Sequence, residues 1–219
     1  MPDEVPAIAV KVCGITTVGD AIMCAEAGVQ MIGLNFARES RRFIRAEAAG
    51  EIVRAVRQRF PETKCAGVFV NESRERVIAL ARKLKLDAVQ LHGDEPPEYA
   101  RALSGCFVIK AFRVGHEYDE SAAAQYPASA ILLDTWSGTL RGGTGETFDW
   151  SVAASLARRI NRVVLAGGLT AENVTAAIRI VNPSGVDVCS GVEDAPGRKS
   201  AAKLRRFLEG VREGGTVPA

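Results

Sequence analysis

The fold is decided by a unit that first occurs in residues 7–36, AIAVKVCGITTVGDAIMCAEAGVQMIGLNF. The apolar run Ala7–Cys13 is followed by a segment with apolar residues at helical spacing, and then by a second apolar run, Gln30–Phe36. Thr17, or Thr16 beside it, is a suitable N-cap for the helix, and Gly28 a suitable end. Near-continuous hydrophobicity is typical of strands covered on both faces, so the stretch predicts a strand–helix–strand unit with parallel strands.

The same unit recurs to the end of the chain. The eight predicted strands are Ala7–Cys13, Gln30–Phe36, Cys65–Val70, Asp87–His92, Cys106–Phe112, Ala130–Asp134, Arg162–Ala166 and Gly185–Cys189. Helical stripes follow the first, second, third, seventh and eighth strands, and Thr170 and Ser200 are the predicted N-caps of the last two helices. Weaker stripes predict three more helices, near residues 95–103, 119–125 and 149–157.

Eight strand–helix units within 219 residues leave about 27 residues for each unit and no room for a second domain. The count predicts an α/β fold in which one domain, residues 1–219, forms a closed (β/α)8 TIM barrel. An open, doubly wound parallel sheet is the alternative, because periodicity alone does not reveal whether the sheet closes.

Composition excludes several classes of function. The 28 Lys and Arg residues balance 26 Asp and Glu residues without a basic stripe, so we expect no nucleic-acid partner. The acidic start Met1–Pro6 does not resemble a secretory signal, and no apolar run reaches the ~20 residues of a spanning helix, so we expect a cytoplasmic protein without membrane contact. Five cysteines without a C-x-x-C pair, and only two histidines, indicate neither a disulfide framework nor a zinc site.

Polar and glycine residues end the predicted strands. In a TIM barrel the chemistry takes place at the carboxyl ends of the strands, so these residues together predict an active site. They are Cys13, Asn35, Asn71, His92, Arg113, Asp134, Gly167–Gly168 and Ser190–Gly191.

The two glycine-containing pairs follow strands seven and eight, where barrels of this type commonly bind phosphate through backbone N–H groups. Each pair alone is more often explained by a tight turn, but together they favour a phosphate site. Asp134 emerges from a very apolar strand, where burial would raise its pKa and suit it to act as a general acid. A loop or helix cap is the alternative role for this aspartate.

Cys13 differs from the other cysteines, which we interpret as small buried hydrophobic residues. It ends a strand, and Lys11 lies two residues earlier on the same strand face, where a cation would favour the thiolate. A thiolate can remove a proton from carbon. His92 is either a pocket residue or an ordinary loop or core histidine, and His116 is interpreted as a solvated loop residue.

Several motifs resemble those of the phosphoribosylanthranilate isomerases, barrel enzymes of tryptophan biosynthesis. The matching segments are KVCGIT (11–16), SRRFI (40–44), GVFVN (67–71), AVQLHG (88–93), LLD (132–134), GGTGETFDW (142–150), AGGL (166–169), VDVCSGVE (186–193) and PGRK (196–199). They extend over nearly the whole chain, and KVCGIT, QLHG and GGTGETFDW together are highly specific.

The resemblance implies a cofactor-free Amadori rearrangement of a small phosphoribosyl substrate. Asp134 would act as the general acid that opens the ribose ring, and Cys13 as the base that removes the C2 proton. Arg42 would bind the anthranilate carboxylate, and His92 would line the pocket. Gly167, Gly168, Ser190 and Gly191 would bind phosphate, and 142–145 would form a mobile loop.

The chain departs from the family pattern at 35–39 (NFARE), a loop whose shape would affect the contacts to the anthranilate group. It also departs at Cys189, where serine is more usual. Two other functions remain possible on the residues alone, a histidine-pathway phosphate-barrel isomerase and a sugar-phosphate binding protein without turnover. A bisphosphorylated histidine-pathway substrate should need a second phosphate site, and the sequence contains only one obvious glycine-rich site. We expect a monomer in preference to a homodimer.

Overall fold

The computed structural model describes residues 8–103, 105–115, 118–134 and 150–216. Eight parallel strands close into a barrel, since β1 is hydrogen-bonded both to β2 and to β8. The strands are β1 Ala9–Cys13, β2 Met31–Asn35, β3 Lys64–Phe69, β4 Ala88–Leu91, β5 Phe107–Arg113, β6 Ala130–Asp134, β7 Val163–Ala166 and β8 Gly185–Val188. The predicted TIM barrel is therefore confirmed, and the open sheet is excluded by the β1–β8 pairing.

Eight helices follow the strands as predicted. They are α1 Val18–Glu26, α2 Ala46–Arg59, α3 Arg74–Leu84, α4 Pro97–Arg101, α5 Glu120–Gln125, α6 Trp150–Arg159, α7 Val174–Val181 and α8 Ala201–Gly215. Thr17 caps α1 by accepting a hydrogen bond from the Asp20 N–H at 3.1 Å, and Ser200 precedes α8. The prediction that Thr170 caps α7 is wrong, because α7 begins after Asn173. Thr170 instead organises the preceding turn, where its hydroxyl accepts from the Glu172 N–H at 3.2 Å.

The apolar side chains form two separate cores. A small one fills the barrel interior with short side chains such as Ala66, Ala88 and Ala111 around Leu132. A larger one lies between the barrel and the helices, where Ile52 of α2 and Phe207 of α8 are buried.

A hairpin that the sequence did not predict follows β8. The chain passes through a single 3-10 turn, Ser190–Val192, into β9 Glu193–Ala195 and back along β10 Arg198–Lys199. Gly197 makes the reversal with a φ of +79°, a conformation that favours glycine. The hairpin turns Glu193 and Lys199 inwards, and both are nearly inaccessible to solvent.

Within the described ranges, no helix combines the length and the apolar character needed to cross a membrane.

The α8 packing gives a stability prediction. Phe207 has no solvent-exposed surface, so Phe207→Ala should lower the free energy of unfolding by about 3–5 kcal/mol through lost burial and a residual cavity. Ile180 is 53% exposed, and Ile180→Ala should change stability by only about 0.5 kcal/mol. Urea unfolding of both variants measures the difference, and an equal effect of the two would contradict the packing described here.

Candidate active site

A buried ion pair lies inside the barrel below the end of β1. Lys11 on β1 and Asp187 on β8 are register partners, and the Lys11 Nζ donates to both carboxylate oxygens at 3.0 Å. Burial raises the pKa of Asp187 to about 7, although Lys11 opposes this shift. Burial also acts to lower the pKa of Lys11, but the negative charges of Asp187 and Cys13 outweigh it and raise that pKa overall. Lys11 is therefore a fixed positive charge.

Cys13 lies directly above this charge. A Cβ atom added at Gly33 of the neighbouring strand would lie 3.0 Å from both the Cys13 Sγ and the Lys11 Nζ. The thiol and the ammonium group are therefore close neighbours. This confirms the prediction that Lys11 and Cys13 share a strand face. It also explains the glycine at position 33, since even a methyl group there would crowd both functional groups.

The Cys13 sulfur has a second thiol as its hydrogen-bond partner. The Cys189 thiol donates to the Cys13 sulfur, which is the largest cause of a pKa well below the ordinary thiol value. Burial opposes this shift, while the positive charge of Lys11 supports it, with smaller contributions from His92 and Lys199. The pKa of Cys189 moves upwards in response, because of its bond to Cys13 and its own burial. Of the two thiols, Cys13 is therefore the one favoured to lose its proton.

His92 links Asp134 to the barrel interior. The Gln90 amide nitrogen is hydrogen-bonded to the His92 Nδ1 at 2.8 Å, and the His92 Nε2 to the Asp134 Oδ2 at 3.1 Å. The side chains of His92 and Asp134 are each about a quarter exposed, so Asp134 is less buried than its strand suggested. His92 also influences the Cys13 pKa electrostatically, so the imidazole lies near both the predicted acid and the predicted base.

Arg42 lies on the other side of Cys13. Its Nε and Nη2 hold the Glu193 carboxylate at 2.9 and 2.5 Å. Lys199, which is also bonded to Glu193 at 2.8 Å, donates to the Cys13 and Cys189 carbonyls as well. Burial opposes ionisation of Glu193, but the hydrogen bonds from Arg42 and Lys199 keep its pKa below the ordinary value.

The sequence interpretation missed four of these residues, namely Gln90, Asp187, Glu193 and Lys199. All four stand within segments quoted above, and their signal was a charged or amide side chain in an otherwise apolar or glycine-rich stretch. Asp187 pairs with Lys11, 176 positions away, and Glu193 with Arg42, 151 positions away, so these two pairings were not visible in the sequence.

The two glycine-containing loops meet at the carboxyl ends of β7 and β8. Gly167 and Gly168 have φ values of +80° and +62°, so both need the freedom of glycine. Gly191 packs directly against the Leu169 carbonyl oxygen, and a Cβ at this position would overlap it. Gly167–Gly168 and Ser190–Gly191 therefore belong to one surface beside the barrel mouth.

A cavity of about 770 Å³ opens next to His92, between the ends of β4 and β5. The aromatic rings of Phe112 and Tyr118 and the cationic side chain of Arg113 contribute to its walls. His116 and the loop 142–145, for which the sequence also gave predictions, lie outside the described residues. Among the described residues, no group of three or more His, Cys, Asp or Glu side chains is arranged to hold a metal ion.

Residues 10–210 match the family model for N-(5'-phosphoribosyl)anthranilate (PRA) isomerase. The chain is also 46% identical over 206 residues to the PRA isomerase of Pelobacter propionicus, an alignment that covers 94% of this chain and 96% of the relative. The chain belongs to the PRA isomerase family. As a member it is an isomerase of tryptophan biosynthesis, and the family match decides against the two alternatives left open by the sequence.

Solved structures of PRA isomerases have the same fold. The Thermotoga maritima enzyme superposes with a TM-score of 0.85 at 41% identity, covering 94% of this chain and 98% of that one. A PRA isomerase in complex with reduced 1-(o-carboxyphenylamino)-1-deoxyribulose 5-phosphate has a TM-score of 0.83 at 38% identity with the same coverage. A further Thermotoga maritima structure, also 38% identical with a TM-score of 0.82, is of monomers generated from a dimeric PRA isomerase.

The thiol pair leads to a prediction about pH. A base works only when deprotonated, and the Cys189 hydrogen bond keeps the Cys13 pKa low, so Cys189→Ala should raise that pKa. The acidic limb of the kcat/KM profile for PRA isomerisation should therefore move to higher pH. Cys189→Ser retains a donor and should leave the limb close to its wild-type position. An unmoved limb in Cys189→Ala would show that the thiol does not tune the base.

Proposed function

We propose that the site isomerises N-(5-phosphoribosyl)anthranilate by an Amadori rearrangement in which Asp134 is the general acid and Cys13 is the general base. The observation that carries this proposal is the Cys13 thiol next to the buried Lys11 ammonium group, in the same barrel mouth as the His92–Asp134 pair. Membership of the PRA isomerase family supplies the overall reaction, and the geometry supports the assignment of roles.

In the first step, Asp134 protonates the ribose ring oxygen. The bond between that oxygen and C1 breaks, and the nitrogen lone pair forms a double bond to C1. The products of this step are an open-chain iminium ion and an Asp134 carboxylate. The His92 N–H already points at that carboxylate, so the negative charge forms next to a hydrogen-bond donor.

In the second step, the Cys13 thiolate removes the proton from C2. The electrons of the C2–H bond form the C1–C2 double bond, and the iminium nitrogen is neutralised. The resulting enolamine tautomerises to the ketose amine. A positively charged iminium makes the adjacent C–H acidic, so a thiolate is a sufficient base and the proposal requires neither a metal nor an organic cofactor.

The remaining residues would hold the substrate. Glu193 occupies Nε and Nη2 of Arg42, and the N–H groups on Nη1 are the proposed donors to the anthranilate carboxylate. Backbone N–H groups of Gly167, Gly168, Ser190 and Gly191 would bind the phosphate, since positive φ values and close packing let the backbone approach an anion. His92 would line the pocket between these groups.

We further propose that the catalytic unit is a single chain acting in the cytoplasm. Every proposed site residue belongs to one barrel, so catalysis needs no residue from a second copy. The assignment of residues 1–219 to one domain remains a prediction from the sequence.

The roles are tested by Cys13→Ala and Asp134→Asn. Each substitution removes one proton-transfer group, and kcat for PRA isomerisation should fall by roughly 10²–10⁴-fold. Cys106→Ala is the matched control, because Cys106 is also a half-buried thiol but lies at the amino end of β5, and its kcat should stay close to wild type. Near-wild-type turnover in either test variant, with normal thermal unfolding, would refute the role of that residue.

The single-chain proposal predicts a molar mass near 23.3 kDa at assay concentrations. Light scattering coupled to size-exclusion chromatography measures this mass. A species of twice that mass whose kcat falls on dilution as it dissociates would contradict the proposal.

A further inference from the structure

Gln90 is a fully buried amide that the proposed mechanism leaves without a role. It lies on β4 two residues before His92, so its side chain and that of His92 point to the same side of the strand. Its amide nitrogen donates to the His92 Nδ1 at 2.8 Å, and the His92 Nε2 is 3.1 Å from the Asp134 Oδ2. The three side chains form a line from the barrel interior to the proposed acid.

Stability does not account for this glutamine. Its Oε1 is buried, and among the described residues it has no hydrogen-bond partner. A buried polar atom without a partner is destabilising, and an apolar side chain of similar size would avoid that penalty. Reversing the amide would bury two N–H donors instead and bring the carbonyl oxygen to Nδ1. What Gln90 provides is the N–H group that faces the imidazole.

This N–H group determines the proton position on His92. A neutral imidazole has one donor nitrogen and one acceptor nitrogen, and Nδ1 is the acceptor here. The ring proton therefore lies on Nε2 and points at the Asp134 Oδ2. An oxygen that accepts this bond is poorly placed to carry the acid proton, so that proton belongs on Oδ1.

We propose that Gln90 is a positioning residue for the isomerisation, which fixes the His92 tautomer so that Asp134 presents a protonated Oδ1 to the substrate. This inference rests on the proposed role of Asp134 as the general acid. The same arrangement stabilises the carboxylate that forms when Asp134 gives up its proton, because the Nε2–H bond strengthens as negative charge develops. The contribution should therefore appear in kcat rather than in KM.

Other charged groups also act on His92. Cys13 from β1 and Asp187 from β8 interact with it electrostatically, and Asp134 contacts it from β6. Lys110 from β5 is paired with Glu95 at 2.8 Å, also near the end of β4. Gln90 is uncharged, so replacing it with another uncharged residue leaves all of these charges in place.

The direct test is the His92 tautomer in the wild-type protein. The chain has two histidines, so ¹⁵N-labelled imidazole signals are assigned to His92 by comparison with His92→Asn. We expect a protonated Nε2 and an unprotonated Nδ1 at neutral pH. A proton on Nδ1 would overturn the proposal, and this result depends on no Gln90 variant folding.

The kinetic test is Gln90→Met, which keeps the length of the side chain but removes the donor. We expect kcat to fall about tenfold with KM little changed, and the ¹⁵N signals to show protonation of Nδ1 in part of the molecules. Gln90→Glu supplies an acceptor to Nδ1 and should impose Nδ1 protonation with at least as large a loss of kcat. Wild-type kcat in a folded Gln90→Met protein would overturn the proposal.

A double variant separates this inference from the proposed function. If Gln90 acts through Asp134, Gln90→Met should slow Asp134→Asn no further, and the two losses should not multiply. Losses that multiply would overturn the positioning role while leaving Asp134 as the acid. If Asp134→Asn alone retains wild-type kcat, the acid assignment and the positioning role fail together, and the wild-type tautomer result still stands as a structural fact.

Discussion

The seam between β1 and β8 is the constraint on which the site depends. Closing the barrel at this seam makes Lys11 and Asp187 neighbours and brings the two thiols that follow on the same strands together. A buried cation is costly unless an anion accompanies it, and Asp187 is that anion for Lys11. Because the pair is held by strand register, the positive charge stays fixed below Cys13. The same hydrogen bonds that complete the fold therefore create the electrostatic environment of Cys13, the proposed base.

The hairpin after β8 extends this arrangement outward. Glu193 holds Arg42 on one side and Lys199 on the other, and Lys199 is bonded to the carbonyls at the ends of β1 and β8. An arginine tied in this way has fewer conformations to lose if it meets the substrate carboxylate, as proposed for Arg42. Gly14 belongs to the same arrangement, since the Arg42 side chain crosses it at a distance that leaves no room for a Cβ. Position 14 thus affects where the Arg42 side chain lies, although it has no functional group.

Much of the fold was predictable because parallel strands and amphipathic helices leave strong local patterns. The eight apolar runs and the Thr17 and Ser200 caps are short-range signals, and each was confirmed within a few residues. The predicted start of α7 was wrong, because the Thr170 side chain forms a turn, and in the sequence such a threonine resembles a helix cap. The β9–β10 hairpin was missed because its strands are too short for a periodic signal.

Of the candidate site, only the residues at the ends of strands could be predicted from local sequence. Cys13, His92 and Asp134 stand at the ends of apolar runs, where barrel chemistry is expected. Nothing local to Cys13 indicates that a thiol 176 positions later will donate to its sulfur, and nothing local to Arg42 indicates that Glu193 occupies part of its donor fork. These contacts form only when the barrel closes, and no short stretch of the sequence contains both partners.

The distance along the chain between Cys13 and its partners has a consequence for biosynthesis. Asp187, which compensates the Lys11 charge, is 176 positions downstream of Lys11, and Lys199 is 186 positions downstream of the carbonyl it binds. A growing chain on the ribosome therefore contains residue 13 long before it contains the groups that acidify it. During that interval the thiol is an ordinary weak acid, mostly protonated at neutral pH and slow to react with electrophiles or oxidants. The surroundings that lower its pKa form only when the last strand closes the barrel.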